Sequence, residues 1–252
     1  MNIDSFDQAA DWITKARHIV AFTGAGISVE SGIPTFRGPE GLWSHYNPQI
    51  LDLQWFLAHP EASWRVIKEI FYDYMGSHAQ PNAAHYFLAA LEKNGKLDGI
   101  ITQNIDNLHQ SAGSRNVVEF HGTAAQLECT QCRRKWDYEE EMLDTLPPAC
   151  PHCGGLLKPD FIFFGEAIPP DAYQKSLDLM HAADLILIIG TTGEIMPASM
   201  LPYENKNART VEINVEPSAY TTSRTDLFLK ARATVAAKEL AGRLGIGLEL
   251  ND

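Results

Sequence analysis

The stretch HIVAFTGAGIS, residues 18–28, decides the fold of this chain. Its apolar part, His18–Thr23, has the composition of a short buried strand. The glycines that follow, Gly24 and Gly26, let a backbone approach a pyrophosphate closely, and a helix starting there would favour the negative charge. Val29 stands where a third glycine is usual, so the stretch by itself also fits an ordinary glycine turn.

Four further apolar runs end in the same way, with glycine or polar residues at their C-terminal ends. They are Gly99–Thr102, Val117–Phe120, Leu185–Ile189 and Thr210–Ile213. Continuous apolar strands separated by helical stretches indicate a parallel sheet that is covered on both faces. Ligands of such open sheets bind beyond the C-terminal ends of the strands, which is where the polar clusters fall.

Two stretches interrupt this α/β pattern. Residues 35–79 are rich in aromatic residues without a clear strand, and residues 124–158 contain the cysteines and are too few to hold a core without a metal. We interpret both as insertions that together form a smaller lobe, with a cleft between the lobes. The large domain is then expected over residues 1–34, 80–123 and 159–252.

All four cysteines lie in the second insertion, as the pairs Cys129/Cys132 and Cys150/Cys153. Two close pairs suit the corners of one tetrahedral site, so the spacing predicts one zinc ion per chain. Four thiolates leave no open coordination position, which indicates a structural ion. Two disulfides are the alternative, disfavoured in an intracellular chain, and His152 is expected on the surface rather than as a fifth ligand.

Composition excludes some classes of function. The chain has 252 residues and a net charge of −12, which argues against nonspecific binding to nucleic acid or anionic membranes. No apolar run reaches the ~20 residues of a membrane-spanning helix, and the N-terminal Met1–Asp7 is acidic where a secretory signal is basic. We therefore expect a soluble, cytoplasmic protein.

Single residues at strand ends are candidates for chemistry. His121 follows an apolar run and suits a general base near neutral pH, although a lone histidine is more often structural. Asn104 and Asp106, near His109, suit either a polar site or a helix cap. Arg37 would pair with a phosphate or be a solvated surface charge.

Taken in order, these motifs resemble the sirtuins, the NAD-dependent protein-lysine deacylases. The matching stretches run from about residue 10 to residue 240, and the set is far more specific than any one member. They are Gly24–Ser28, Ser31–Arg37 (SGIPTFR), Pro81–Asn82 with His85, Gln103–Asp106 (QNID), His121–Gly122, the paired cysteines, Phe164–Glu166 (FGE), Gly190–Thr191 and Asn214.

The resemblance implies a Rossmann-like domain and a smaller lobe made of a helical module and a zinc ribbon. NAD and an extended acyl-lysine peptide would enter the cleft from opposite sides. The residues implied along NAD are Gly24, Ala25, Gly26, Ser28, Val29, Ile33, Phe36, Arg37, Gln103, Asn104, Ile105, Asp106, Gly190, Thr191, Thr192, Asn214 and Ala233. Those implied for the substrate strand are Ile162, Phe163, Phe164, Gly165, Glu194 and Met196, by addition of a β-strand.

The resemblance also implies a reaction. The acyl oxygen would attack the NAD ribose as nicotinamide leaves, and His121 would then deprotonate a ribose hydroxyl. The products would be free lysine, nicotinamide and O-acyl-ADP-ribose, and the substrates would be acetyl-lysine proteins or peptides. We expect the active form to be a monomer. One alternative is an ADP-ribosyltransferase or NAD hydrolase on this scaffold. Another is a binding module, for which Arg133–Lys135 is the only basic cluster, offset by Glu139–Glu141.

The chain departs from the usual sirtuin pattern at a few positions. Thr35 replaces the more usual aspartate, Thr192–Glu194 replaces Ser-Leu-x, and Ala233–Thr234 replaces Ala-Gly, which leaves the adenosine and substrate contacts open. Sirtuins that favour succinyl groups carry a Tyr-x-x-Arg pair. Counting back from Pro81 without gaps places Glu69 at the tyrosine position. An acidic residue there would repel an acidic acyl group, so we expect acetyl or other neutral acyl substrates.

Overall fold

A six-stranded parallel sheet forms the centre of the large domain. The computed structural model describes residues 4–38, 41–75 and 79–249, so parts of the domain termini and of the helical module predicted above lie outside it. The strand order is β3-β2-β1-β7-β8-β9, which is the order of a dinucleotide-binding sheet with its switch point between β1 and β7. The strands are β1 (Ile19–Thr23), β2 (Leu97–Thr102), β3 (Val117–Glu119), β7 (Leu185–Ile189), β8 (Arg209–Asn214) and β9 (Leu227–Lys230).

Helices cover both faces of this sheet, as its continuous apolar strands require. Every residue of β1 and β7 is buried. One face packs against α1 (Ser5–Lys15), α5 (Ala83–Lys93) and α8 (Ala233–Leu244). The other packs against α7 (Pro170–Ala182). The N-cap of α1 is Asp4, whose side chain accepts a hydrogen bond from the Phe6 amide.

The sixth strand, β9, is missing from the sequence prediction. It has only four residues and only Leu229 is buried, because β9 pairs with β8 alone and lies at the sheet edge. The five strands that the sequence predicted, β1, β2, β3, β7 and β8, are present, and their polar C-terminal ends lie along one edge of the sheet. No helix in the described part of the chain is both long and apolar enough to cross a bilayer.

The two insertions form one small lobe around a shared core. The cysteine insertion contributes a three-stranded antiparallel sheet of β4 (Gly122–Cys129), β5 (Lys135–Asp137) and β6 (Leu157–Phe161). The helical module contributes α2 (Leu42–His45), α3 (Leu53–Ala58), α4 (Pro60–Ile67) and a π-helical segment over Lys68–Tyr74. Another short helix, α6 (Leu108–Ser111), contacts α5 of the large domain. Trp64 is fully buried and donates its indole N–H to the Leu157 carbonyl at 2.8 Å, which joins the module to the ribbon.

The chain enters and leaves the cysteine insertion at two adjacent points. Two residues, Phe120 and His121, separate β3 of the large domain from β4, and the chain returns after β6 through Ile162. The Ile162 amide donates to the His121 carbonyl at 2.8 Å. Gly122 permits this arrangement, because its φ is +75° and a Cβ there would lie 2.1 Å from the Asp160 carbonyl oxygen.

The cysteine geometry fits a tetrahedral metal site. The four Sγ atoms lie within 4.8 Å of one another, with Cys129 to Cys153 at 3.5 Å and Cys132 to Cys150 at 3.8 Å. Zn–S bonds of about 2.3 Å give tetrahedral S···S edges of about 3.8 Å, whereas a disulfide needs about 2.05 Å. All four cysteines are free, so the cluster is suited to one zinc ion and the disulfide alternative does not hold. His152 is exposed, as expected.

We expect removal of the metal to destabilise the small lobe, because the ribbon has few core residues of its own. Chelation should lower the Tm by on the order of 10 °C, and added zinc should restore it. The measurement is thermal unfolding with metal content checked by atomic emission. The variant His152→Ala is the control and should keep one zinc per chain. An unchanged Tm in verified metal-free protein would contradict the structural role.

Candidate functional site

A cavity of about 1260 Å³ opens at the C-terminal ends of β1, β2, β7 and β8 and extends to the small lobe. Its position is the one that strand order predicts for a ligand. Of the residues proposed for NAD, those lining it are Gly24, Ala25, Gly26, Val29, Phe36, Arg37, Gln103, Asn104, Ile105, Gly190, Thr191, Thr192, Asn214 and Ala233. His121 lines it too, as do Ile162, Phe163, Phe164, Gly165 and Met196 of the proposed substrate set.

Four proposed site residues do not line this cavity. Ile33 is buried in the core of the small lobe, and Glu194 is exposed beside Thr192, its carboxylate 3.4 Å from the threonine hydroxyl. Ser28 and Asp106 lie one layer behind the wall and contact each other. These four side chains can therefore contact a ligand in the cavity only if they move, or act on it only through the residues that line the wall.

The glycines after β1 are required by contacts within the protein itself, before any ligand is considered. The Gly26 amide donates to the Gly190 carbonyl at 2.8 Å, and a Cβ on Gly26 would lie 2.7 Å from the Gly190 Cα. The loops after β1 and β7 thus meet backbone to backbone at the switch point. Two 3₁₀ turns, Ala25–Ile27 and Val29–Ser31, follow β1, so the α-helix expected there to favour a phosphate is absent.

The helix N-terminus at this cavity belongs instead to α8. Arg232 and Ala233 line the cavity at its start. The first turn is already capped, because Glu30 accepts from both the Thr234 amide at 3.0 Å and the Thr234 hydroxyl at 2.7 Å. Glu30 therefore holds the loop after β1 against α8 and supplies the negative charge that the helix dipole favours.

A buried hydrogen-bond network lies behind the QNID stretch. Asp106 accepts from the Ser28 hydroxyl at 2.7 Å and from the Leu108 amide at 3.0 Å, so its carboxylate is bonded to the first residue of α6. Asn104 donates to Ser28 at 3.2 Å and to the Gly24 carbonyl. Burial raises the pKa of Asp106, and the Ser28 and Leu108 hydrogen bonds oppose that shift.

His85 completes this network from the N-terminus of α5. Its Nδ1 faces the Asn82 backbone N–H at 3.2 Å and must accept, so the ring proton is on Nε2. Nε2 lies 3.5 Å from the Ser28 hydroxyl. Burial lowers the pKa of His85 to about 3, so the ring is neutral and the chain of donors runs from Asn82 to Asp106.

His121 has one ring nitrogen fixed and one free. Its Nδ1 lies 3.1 Å from the Gln103 carbonyl oxygen, which only accepts, so Nδ1 carries the proton and Nε2 has a lone pair. Burial lowers the pKa of His121, and the bond to Gln103 offsets part of that shift. A neutral imidazole with a free nitrogen in a cavity is the arrangement that a general base needs.

The segment after β6 alternates between the cavity and the core. Phe163 is 1% exposed and its ring packs in the small lobe, whereas Phe164 is 46% exposed. The amides of Ile162, Phe163 and Phe164 are all bonded, to the His121 carbonyl, the Glu166 carboxylate and the Leu51 carbonyl. In the segment Ile162–Gly165, the backbone groups without a hydrogen bond among the described contacts are the Ile162 carbonyl and the amide and carbonyl of Gly165. A substrate strand that pairs with this segment would therefore bond to these groups.

Glu69 does not occupy the place that the ungapped count assigns to it. Its side chain is exposed, accepts from the Tyr46 hydroxyl at 2.8 Å and is not part of the cavity wall. Repulsion by Glu69 is therefore the wrong reason for a neutral acyl preference. The lysines and arginines among the described lining residues are Arg37, on the loop after β1, and Arg232, at the start of α8.

Sequence reasoning missed several residues that line the cavity. Some belong to stretches quoted for other reasons, such as Thr35 and Glu166, whereas Val215, Pro217 and Arg232 carried no recognised signal. The loop after β8 could have been found, because it continues directly from Asn214, which the resemblance had placed along NAD. Trp43 and Leu51 reach the cavity only through the fold of the helical module, which the sequence did not reveal.

Comparisons with known sequences and solved structures are consistent with this geometry. The sequence model described as the Sir2 family matches residues 24–197. An NAD-dependent protein deacylase of Pyrobaculum aerophilum is 45% identical over 230 residues, which are 89% of this chain and 90% of that protein. A Sir2 homologue variant solved with ADP-ribose has a TM-score of 0.90 and 36% identity, covering 99% of this chain and all of that one. Sir2Tm bound to a propionylated peptide has a TM-score of 0.87 and 32% identity, covering 96% of this chain and 99% of that one.

The order of the motifs, the strand order and the four clustered cysteines all agree with these matches, and the chain belongs to the Sir2 family.

Proposed function

We propose that this protein removes acetyl and other neutral acyl groups from protein lysines, with NAD as cosubstrate. The products are nicotinamide, O-acyl-ADP-ribose and free lysine. The observation that carries the proposal is the free Nε2 of a neutral His121 in one cavity that joins the loop after β1 to the segment after β6. The deacylase name of the Pyrobaculum aerophilum relative and the acylated peptide on Sir2Tm support it.

NAD supplies the ADP-ribosyl group that accepts the acyl group. On the cofactor side, Gln103 donates to the Thr191 hydroxyl at 3.1 Å and Asn214 donates to the Thr191 carbonyl at 3.1 Å. These bonds hold polar side chains from three strand ends in place for a ribose. Asn104, held by Ser28 with Asp106 behind it, is suited to orient the carboxamide of the nicotinamide.

On the substrate side, Ile162 and Phe164 would enclose the acyl-lysine and exclude water from the reaction. His121 would take a proton from a ribose hydroxyl onto Nε2 while its Nδ1–H stays on the Gln103 carbonyl. That carbonyl stabilises the imidazolium that forms, so the same bond orients the ring and supports its charge. We do not expect direct binding to nucleic acid. That the protein is monomeric and cytoplasmic stays a prediction.

The rival reactions, NAD hydrolysis and transfer of ADP-ribose to a protein, also release nicotinamide. Mass spectrometry of purified protein with NAD and an acetyl-lysine peptide separates them. A peptide lighter by about 42 Da together with O-acetyl-ADP-ribose establishes deacylation. Nicotinamide release that does not depend on the peptide would instead favour the rivals.

The variant His121→Ala should lose turnover and keep NAD. A general base contributes roughly 10²–10⁴-fold, so kcat should fall by at least about a hundredfold. The NAD Kd from calorimetry should stay within about threefold, because His121 is not the residue that holds the cofactor. The exposed His181→Ala is the control. Near-normal turnover in His121→Ala would remove this residue from the role of base.

The pH profile should follow from the burial of His121. Its pKa lies below the ordinary 6.5, so the neutral form that acts as a base persists to lower pH than for an exposed histidine. We expect kcat/KM for the peptide, measured from about pH 5 to about pH 9, to be flat near neutrality and to fall only below pH 6.5. An acid limb centred above pH 6.5 would contradict a base whose charged form is disfavoured by burial.

Acyl preference is tested with three peptides that differ only in the acyl group. Butyryl and succinyl chains have the same number of carbons, so they separate charge from length. Helices α2 to α4, the π-helical segment and the segment after β6 contribute no lysine or arginine to the described cavity wall, so a distal carboxylate held against them would be buried unpaired. Succinyl-lysine should turn over at least about tenfold more slowly than butyryl-lysine. Faster turnover of the succinyl than of the acetyl peptide would contradict the preference.

A further inference from the structure

A buried lysine lies directly behind the segment that faces the substrate. The Lys158 side chain in β6 is 5% exposed. Its ammonium meets three acceptors, the Pro159 and Phe161 carbonyls at 2.7 Å each and the Glu166 carboxylate at 3.1 Å. All three of its donors are thus satisfied within the protein. Lysines are almost never this buried without a partner, because the ammonium loses its hydration.

The partner, Glu166, closes a turn at the cavity wall. Its carboxylate also accepts from the Phe163 amide at 2.7 Å, and its own amide donates to the Phe163 carbonyl at 3.0 Å. The turn includes Gly165 at a φ of +90°. Because one oxygen, Oε2, receives both the Phe163 amide and the ammonium, loss of the charge on Lys158 would loosen the turn.

Lys158 also determines which side chains face the cavity. Its ammonium lies 4.4 Å from the centre of the Phe163 ring, a cation–π contact. That ring packs on Phe56 at 5.1 Å and on Phe161 at 5.4 Å. With the Phe163 ring packed in the core of the small lobe, the alternation of an extended chain leaves Ile162 and Phe164 as the more exposed residues at the cavity.

The turn is bonded to the helical module as well. The Phe164 amide donates to the Leu51 carbonyl at 2.8 Å and its carbonyl accepts from the Leu53 amide at 3.0 Å. The position of Phe164 therefore depends on the module on one side and on the ion pair on the other. The strand ends that carry Gln103, Thr191 and Asn214 have no contact with Lys158 among the described hydrogen bonds and ion pairs.

We propose that the Lys158–Glu166 ion pair is a positioning element for the acyl-lysine substrate. It holds Ile162–Gly165 in the shape that receives the peptide and so sets the affinity for the peptide, without setting the affinity for NAD. This rests on the proposed deacylase function. Lys158 does not line the cavity, so it acts through Glu166 and Phe163 and is not a catalytic residue.

The test uses the full-length, zinc-loaded protein and an acetyl-lysine peptide. In Lys158→Met the stem remains and the charge is lost. We expect the peptide KM to rise by roughly tenfold or more, because small displacements of substrate-positioning groups have effects of this size. The NAD Kd and the kcat should stay within about threefold. Lys158→Arg, which keeps a charged donor, should recover most of the peptide affinity.

Lys135→Met is the matched control. Lys135 pairs with Asp160 at 2.7 Å on the same small sheet, but its side chain is 51% exposed and it does not line the cavity. It should leave the peptide KM unchanged. If Lys158→Met does not fold, as judged by its Tm and zinc content, Glu166→Gln replaces it, since glutamine keeps the size and one acceptor oxygen.

The outcomes separate the inference from the proposed function. An unchanged peptide KM in the folded variant, or an equal loss of NAD affinity, would overturn the positioning role while wild-type turnover stood. Absence of acetyl-lysine turnover in the wild-type protein would remove the proposed function and the inference with it. A higher peptide KM that Lys158→Arg reverses and Lys135→Met does not reproduce would support both.

Discussion

One hydrogen bond, from the Ile162 amide to the His121 carbonyl, joins the two points at which the chain enters and leaves the cysteine insertion. The candidate base and the substrate-facing segment are thus backbone neighbours, and neither can move without the other. The bond requires β4 and β6 to approach closely, which only a glycine at position 122 allows. Because the cysteine pairs lie at or just beyond the far ends of the same two strands, a metal that holds the ribbon together would also stabilise the end of the small sheet next to His121.

The large domain meets this junction through a second close approach, between Gly26 and Gly190. A glycine-rich loop after the first strand is commonly explained by the space that a pyrophosphate needs. Here Gly26 and Gly190 must lack side chains for another reason, because the loops after β1 and β7 contact each other at these two residues. The crevice between those loops therefore exists before any ligand binds. Its polar groups come from strand ends that the sheet holds at fixed spacing, which reduces the entropy lost on binding.

The sequence was informative wherever a local pattern has one physical solution. Apolar runs that are too continuous for a half-exposed sheet predicted the parallel sheet, and two close cysteine pairs predicted the tetrahedral cluster. Residues whose role depends on a distant neighbour were harder to place. Ser28 was expected beside the cofactor but lies behind Asn104, because its hydroxyl is needed by Asp106, 78 positions later in the chain. Glu69 was misplaced because an ungapped count cannot follow the π-helical turn of the module.

Burial explains why so many charged and polar groups near the cavity are paired. It disfavours the charged form of His121, which keeps the base ready to accept a proton, but it would equally disfavour every carboxylate and ammonium around it. The buried ones have their own donors or acceptors: Asp106 has Ser28 and Leu108, and Lys158 has Glu166 and two backbone carbonyls. The Nε2 of His121 is different, because it lies at the cavity without a partner among the described residues. A ring nitrogen that keeps its lone pair at the cavity wall is the atom at which a proton is to be received.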